Sequence, residues 1–474
     1  MHRHYKEREV VIDILYKSST KTAYILLVAL AITSIIYNAF IPLHGDEAYY
    51  WVWSHHLQGG YYDHAPLLAF MIKVSNFISE SEWGVRLSAV FSMSIAGLYI
   101  FKLTQKMSDD ITALNALFIY CSVILVHAGY TLVTPDAPLI LFWSLALYYG
   151  YIALFENSTK AYLLLGLFLG LMMMSKYTAI LFAFTLVFFA LIKRRELFRD
   201  WRIYAVVGIS SVVITPMLWW NYQHDWISFL FQLAHGSTKT LDINFGRFLE
   251  FFGGQFGVFT PVFTTVLFYY LVKKHAFFSN EKLFYISLSI LVPLLFFFYK
   301  SLLARIELNY TAPAFVGGAV LLAYIFQRYE LKKTFKAGII TALILSAIVR
   351  IAFQTHLEIV QDRMYGNREA IALLETYAKT SDAFYGDHLT IAALMQFYLP
   401  RHPQTQIYTR TRFSQYDMWR GKAKPKDGLY LTQNPAKEKL LKVFSSVVLL
   451  NTFTCKRGPN GTKTFYIYRV SKAF

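Results

Sequence analysis

Two adjacent carboxylates, Asp46 and Glu47, stand immediately after the first apolar run of the chain, in the segment HGDEAYYW. Ionisable groups at the edge of a membrane bundle are costly to place and are by default candidates for function. The surrounding stretch, 44–83, also holds His44, His55, His56, Asp63 and His64, among six aromatics between Tyr49 and Tyr62. Carboxylates and imidazoles gathered in this way suit proton transfer, or a divalent ion held by oxygen and nitrogen. The spacing HExxH is absent, and Asp-Glu adjacency alone is a poor ligand set, so no essential metal and no cofactor are expected. The aromatics have a plainer reading. Trp and Tyr anchor loops at the membrane interface, and the carboxylates then keep the loop soluble.

The elements that must position these groups are membrane spans. Of 474 residues, 56% are hydrophobic and only 16% charged, against about a quarter charged in a soluble domain. Apolar runs long enough for a helix to cross the bilayer, about 20 residues, recur through the first three-quarters of the chain. They predict about eleven spans, at 22–43, 84–105, 111–133, 139–155, 160–175, 177–192, 203–220, 253–272, 282–299, 310–328 and 336–354. The runs 160–175 and 177–192 are short and read as a broken or strongly tilted pair. The first run lacks the features of a cleaved signal peptide and reads as a signal anchor.

The net charge of +17 does not point to nucleic acid, because much of it lies in short loops between spans. Arg3, Lys6, Arg8, Lys17 and Lys21 precede the first run, and Lys193, Arg194, Arg195, Arg199 and Arg202 follow the sixth. Lys273 and Lys274 follow the eighth, and Arg328, Lys332, Lys333 and Lys336 the tenth, whereas 41–72 contains neither Lys nor Arg. With eleven spans all these clusters fall on one side, so the positive-inside rule puts the N-terminus in the cytoplasm and the acidic loop and tail outside. The transmembrane unit is then 1–354, and the tail, 355–474, a separate small α/β unit. In the tail a helix-like stretch from Thr390 to Tyr398 accompanies strand-like runs SSVVLL and FYIYRV, with turn signals at 424–425, 427–428 and 460–461. Two cysteines, Cys121 and Cys455, offer no disulfide framework.

HGDEAYYWVWSHHL, GYYDHAP, TPDAP, SKYTA and ELNYTAPA, in this order, resemble the motifs of bacterial polytopic glycosyltransferases of the GT-C fold, such as the lipid A aminoarabinose transferases and the protein O-mannosyltransferases. The resemblance covers about 40–325. It implies an enzyme of the bacterial inner membrane that moves a sugar from a polyprenyl-phosphate donor to an extracytoplasmic acceptor, with inversion. Lipid A or another envelope glycoconjugate is favoured as acceptor, with protein as the alternative. Such a reaction needs a base for the acceptor hydroxyl and cations for the departing phosphate. Asp46 matches the family's first-loop acidic residue and is expected to be the base. Glu47 then positions the acceptor or Asp46, or simply caps a helix beginning near Ala48.

His64 occupies the place of a basic residue in the family and is expected at the carrier phosphate or at Asp46; the alternative is a hydrated surface histidine. Lys176, inside an apolar stretch, is the second expected phosphate ligand, unless it snorkels to the interface. Arg305 and Glu307 either bind phosphate and acceptor respectively or pair with each other. Asp136 in TPDAP is expected to contact the sugar or acceptor or to help orient Asp46, and Asp63 and Asn309 are expected at the sugar or acceptor. His224, with Asn221 and Asp225, lies in a partly amphipathic segment, 219–236, that lines the carrier entrance or anchors the surface. A transporter or flippase would carry paired half-sequences, and no internal repeat is present. A polysaccharide polymerase or ligase would carry its largest external loop late among the spans, whereas here the decisive loop is first.

Overall fold

A computed structural model describes residues 19–235, 243–273, 276–354, 364–409, 412–457 and 461–472. The stretches marked as spans are helical there, but several are broken. Seven described helices are long and apolar enough to cross a membrane: Ser19–Asn38 (α1), Glu82–Met107 (α4), Asp136–Phe155 (α7), Trp201–Gln223 (α10), Glu281–Leu303 (α14), the segment Leu308–Arg328, whose α-helical part is Ala312–Arg328 (α15), and Lys332–Gln354 (α16). Two bent pairs raise the number to nine. Asp110–Ser122 (α5) and Ile124–Thr131 (α6) meet at 63°, and Phe245–Val258 (α12) and Pro261–Lys273 (α13) at 113°. These correct the expectation of single straight spans at 111–133 and 253–272. In the first, Val123 is extended. In the second, Thr260 has a positive φ of 77°, and Pro261 has no N–H with which to continue the helix before it.

Two further apolar helices, Thr159–Ser175 (α8) and Ile180–Lys193 (α9), coincide with the expected broken pair. The break is at Lys176, whose backbone is extended. The lysine therefore stands at the end of a helix and not inside one. The core of the bundle is continuous from Ala23 to Ala342 and strongly aromatic. Apolar side chains such as Ile25, Val28, Val212 and Ile348 face outward from it, as expected where the solvent is lipid.

Between α1 and α4 lie two short helices, Gly45–His55 (α2) and Leu67–Asn76 (α3). The tail forms a five-stranded sheet, in the order β2-β1-β3-β5-β4, from Ala383–Gly386 (β1), Thr405–Gln406 (β2), Gly428–Thr432 (β3), Ser446–Arg457 (β4) and Gly461–Ser471 (β5). β1 is parallel to β2 and β3, while β5 is antiparallel to β3 and β4. The runs SSVVLL and FYIYRV form β4 and β5, and the expected helix is Leu389–Tyr398 (α18), after Asn367–Glu375 (α17). The expected domain boundary, at 354/355, opens a segment outside the described residues. The first residue of the 460–461 turn signal also lies outside the described residues.

The tail is not packed as a separate unit. A single core joins Tyr49, Trp51, Val52 and Trp53 of α2 to Leu389, Leu394 and Phe397 of α18 and to Leu429 and Leu431 of β3. Trp51, Trp53 and Tyr61 are fully buried. Trp51 meets Phe397 edge-on at 5.0 Å, and Tyr49 stacks on Tyr416 at 5.7 Å. The aromatics of the first loop thus anchor it to the tail and not to lipid. Their burial is worth about 1.5–3 kcal/mol per large side chain. Gly45 permits the close approach, because a Cβ there would stand 2.4 Å from the Thr390 side chain. α3 and the two residues after it leave Phe70, Val74, Phe77 and Ile78 exposed.

Candidate active site

The first turn of α2 is built by its own side chains. His44 caps the helix through Nδ1, which accepts from the Asp46 N–H at 3.1 Å. Glu47 closes a capping box by accepting from the His44 N–H at 2.9 Å. The helix begins at Gly45, three residues earlier than expected. Glu47 does more than cap. Its two oxygens also accept from Arg86 Nε at 2.9 Å, Arg86 Nη2 at 2.7 Å and the Val133 N–H at 2.9 Å.

Glu47 and Arg86 are 1% and 0% exposed. Arg86 continues to the carbonyls of Asn38, Ile41 and Pro42 at the end of α1. One buried ion pair therefore ties together the exit of the first span, the surface helix, the start of α4 and the strand-like link before Asp136. Arg86 was not singled out from the sequence, although an arginine within the apolar run GVRLSAV carries the same signal as Lys176.

Asp46, adjacent in sequence, faces the other way. Its side chain is 42% exposed, 3.6 Å from His44 Nδ1, and lines a cavity of about 610 Å³. From the bundle and first loop the cavity is lined by Asp46, Asp63, His64, Phe231, Gln232 and Tyr310; from the tail by Asn367, Asp387, His388, Thr390, Ile391, Leu394, Arg412, Gln433 and Asn434. Asp63 is buried, and accepts from the Tyr49 hydroxyl and from Arg412 Nη1, both at 2.8 Å. Burial raises its pKa, an effect opposed by the Arg412 charge and the Tyr49 hydrogen bond. Tyr50 lies among the carboxylates. Burial and then Asp46, Asp63 and Asp136 hold its hydroxyl firmly protonated.

Below Tyr310 a second cluster is closed off. Lys176 Nζ lies 2.7 Å from Asp136 Oδ1 and 4.4 Å from the Tyr310 ring centre, and Asn309 donates to Asp136 Oδ2 at 2.5 Å. Lys176 and Asp136 are each 8% exposed. Three expected site residues, Asp46, Asp63 and His64, thus line one cavity, while Asp136 and Lys176 are buried together behind Tyr310, with the half-buried Asn309 bonded to Asp136.

Other expected residues stand apart. Glu47 is turned into its ion pair. Arg305 is largely exposed and pairs with Glu250 at 3.3 Å, not with Glu307; Glu307 is itself exposed. His224 stacks on Trp220 at 4.2 Å and donates from Nδ1 to the Trp220 carbonyl at 2.7 Å. Asn221 is buried and donates to the Met217 carbonyl. Segment 219–236 reaches the cavity instead through Phe231 and Gln232, from the helix Ile227–His235 (α11). Among the described residues no three or more His, Cys, Asp and Glu side chains converge as metal ligands would.

Residues 63–220 match the family model described as dolichyl-phosphate-mannose-protein mannosyltransferase. The lipid A galacturonosyltransferase RgtD of Rhizobium johnstonii is 29% identical over 293 residues, which are 59% of this chain and 60% of that protein. The match therefore spans about three-fifths of that curated relative's length. Crystal structures of ArnT from Cupriavidus metallidurans superpose with TM-scores of 0.67 (apo) and 0.69 (bound to undecaprenyl phosphate), each at 12% identity. They cover 95% and 94% of this chain and 98% and 97% of theirs, a likeness of fold that includes the tail. The resemblance carried by the ordered motifs is thereby borne out, and the chain resembles the GT-C glycosyltransferases in both sequence and fold.

Proposed function

We propose that the protein is an inverting membrane glycosyltransferase that moves a sugar from a polyprenyl-phosphate donor to an acceptor outside the cytoplasm, with Asp46 as the general base. The observation that carries this reading is the divergence of two neighbouring carboxylates. Glu47 is consumed by a buried ion pair, while Asp46 is left half-exposed at the wall of a polar cavity. The match to a lipid A galacturonosyltransferase and the fold of a protein solved with undecaprenyl phosphate support the lipid-linked donor and a lipid A type of acceptor.

In this reading an acceptor hydroxyl gives its proton to an Asp46 oxygen as the hydroxyl oxygen attacks the anomeric carbon. The bond from that carbon to the phosphate oxygen breaks on the opposite face, and the phosphate leaves with the electron pair. His64 stands at the phosphate. Lys176 stays behind Tyr310, paired with Asp136, which Asn309 fixes in turn, so it reaches the phosphate only when that pair opens. Asp63 shapes the sugar pocket together with Arg412. Glu47 is a positioning residue that fixes the first turn of α2. Arg305, Glu307 and His224 lie outside the cavity lining, so they serve at most the approach of carrier or acceptor.

Protein as acceptor is the second reading, favoured by the mannosyltransferase match over 63–220. We further propose that α8 and α9 both cross the bilayer. Together with the seven long helices and two bent pairs they restore eleven spans, placing the N-terminus inside and the cavity and tail outside. A reporter fused after Phe474 then reads as external; a cytoplasmic signal refutes that topology.

The central test is Asp46→Asn. The purified variant should fold and bind undecaprenyl phosphate yet transfer no sugar, whereas near-normal turnover removes Asp46 as the base. Mass spectrometry of lipid A and envelope glycoproteins from cells with and without the gene decides between the two acceptors.

A further inference from the structure

The tail brings to the cavity a second set of polar groups that the transfer step does not use. β1 and β3 are adjacent and parallel, so their carboxyl ends open on the same edge of the sheet. Asp387 and His388 follow β1, Gln433 and Asn434 follow β3, and all four line the same cavity as Asp46. The crevice outside the carboxyl ends of parallel strands is where open α/β sheets bind ligands.

Asp387 Oδ2 accepts from the Thr432 hydroxyl at 2.6 Å, which fixes the carboxylate between the two strand ends. Its other oxygen, Oδ1, is buried and has no hydrogen-bond partner among the described residues. A buried carboxylate oxygen without a donor is costly and asks for a physical reason. A ligand that brings O–H or N–H groups supplies one.

We propose that this edge is the acceptor-saccharide subsite, with Asp387 accepting hydroxyl or ammonium hydrogens of the acceptor sugar and the amides of Gln433 and Asn434 holding neighbouring hydroxyls. The proposal rests on the transferase reading of Asp46. The donor is the less suitable occupant. Its polyprenyl chain ties it to the bundle, whereas these groups belong to the tail. The acceptor must instead place one hydroxyl at Asp46 and the rest of its ring elsewhere in the same cavity.

Binding of purified lipid A in detergent, and separately of undecaprenyl phosphate, tests the assignment on the full-length protein. Asp387→Asn should weaken lipid A binding about tenfold or more, the scale of a hydrogen bond to a charged group, and raise the acceptor KM with little change in kcat. Undecaprenyl phosphate should bind as before. Asn434→Ala, at an exposed position, should shift the same constant in the same direction, since the Asn434 bonds to Thr432 Oγ1 are made by its backbone and need no side chain. Native affinity for lipid A in both variants overturns the proposal. So does loss of undecaprenyl phosphate instead of lipid A, or failure of the wild-type protein to bind lipid A. Asp46→Asn measured in parallel should keep lipid A binding. If it also keeps transfer, the base assignment falls while the subsite result stands.

Discussion

Glu47→Gln separates a structural role from a catalytic one. The carboxylate accepts four hydrogen bonds, two from Arg86 and one each from the His44 and Val133 N–H groups. An amide of the same shape replaces one oxygen with NH2. Whichever end that group takes, it faces two donors: Arg86 Nε and the Val133 N–H on one side, Arg86 Nη2 and the His44 N–H on the other. The Arg86 charge, 0% exposed, is left without a counter-ion. Breaking a buried pair by removing one partner costs about 3–5 kcal/mol, a large share of the roughly 5–15 kcal/mol that holds a protein folded. Arg86 also fastens three carbonyls at the end of α1, so the damage spreads to the span exit. The expected result is a clear drop in melting temperature of the detergent-solubilised protein. Turnover per folded molecule at low temperature should fall far less than for Asp46→Asn. An unchanged melting temperature with a hundredfold loss of turnover would refute this reasoning and return Glu47 to the chemistry.

Gly45→Ala should destabilise by about 1–3 kcal/mol, the cost of overpacking, because the new Cβ meets Thr390 at 2.4 Å; an unaltered melting temperature argues against close docking of α2 on α18. A chelator should leave sugar transfer unchanged, and activity restored only by adding back a divalent ion contradicts the metal-free reading. Asp63 gives a pH dependence of defined sign. Burial raises its pKa in the folded protein, so the native state holds the proton to higher pH than the unfolded chain does. Its contribution to stability is full below the ordinary carboxylate value of about 4 and is lost as pH rises through the raised value. Denaturation midpoints across that acid range should show this slope in the wild type and lack it in Asp63→Asn; an identical slope in both assigns it elsewhere.

The membrane bundle is legible in the sequence alone, because apolar length is a local property and each run either reaches across the hydrocarbon or does not. So is the acidic loop, since Asp46 and Glu47 follow a span in a stretch without Lys or Arg. The sequence also marks the pair α8 and α9 as broken or strongly tilted, through the shortness of the two runs. What it left undecided was every question of partnership. Two neighbouring carboxylates look alike in a string; only the packing of Arg86, 39 residues away, turns one into a buried strut and leaves the other facing the cavity. The aromatics of the first loop read as interfacial anchors, because burial depends on what covers them, and the cover is α18, more than three hundred residues downstream. The cavity is likewise composite. Asp387, Arg412 and Asn434 join Asp46 and Asp63 only because the tail folds back over the loop. Long-range packing, which no local pattern encodes, decided which residues share that cavity.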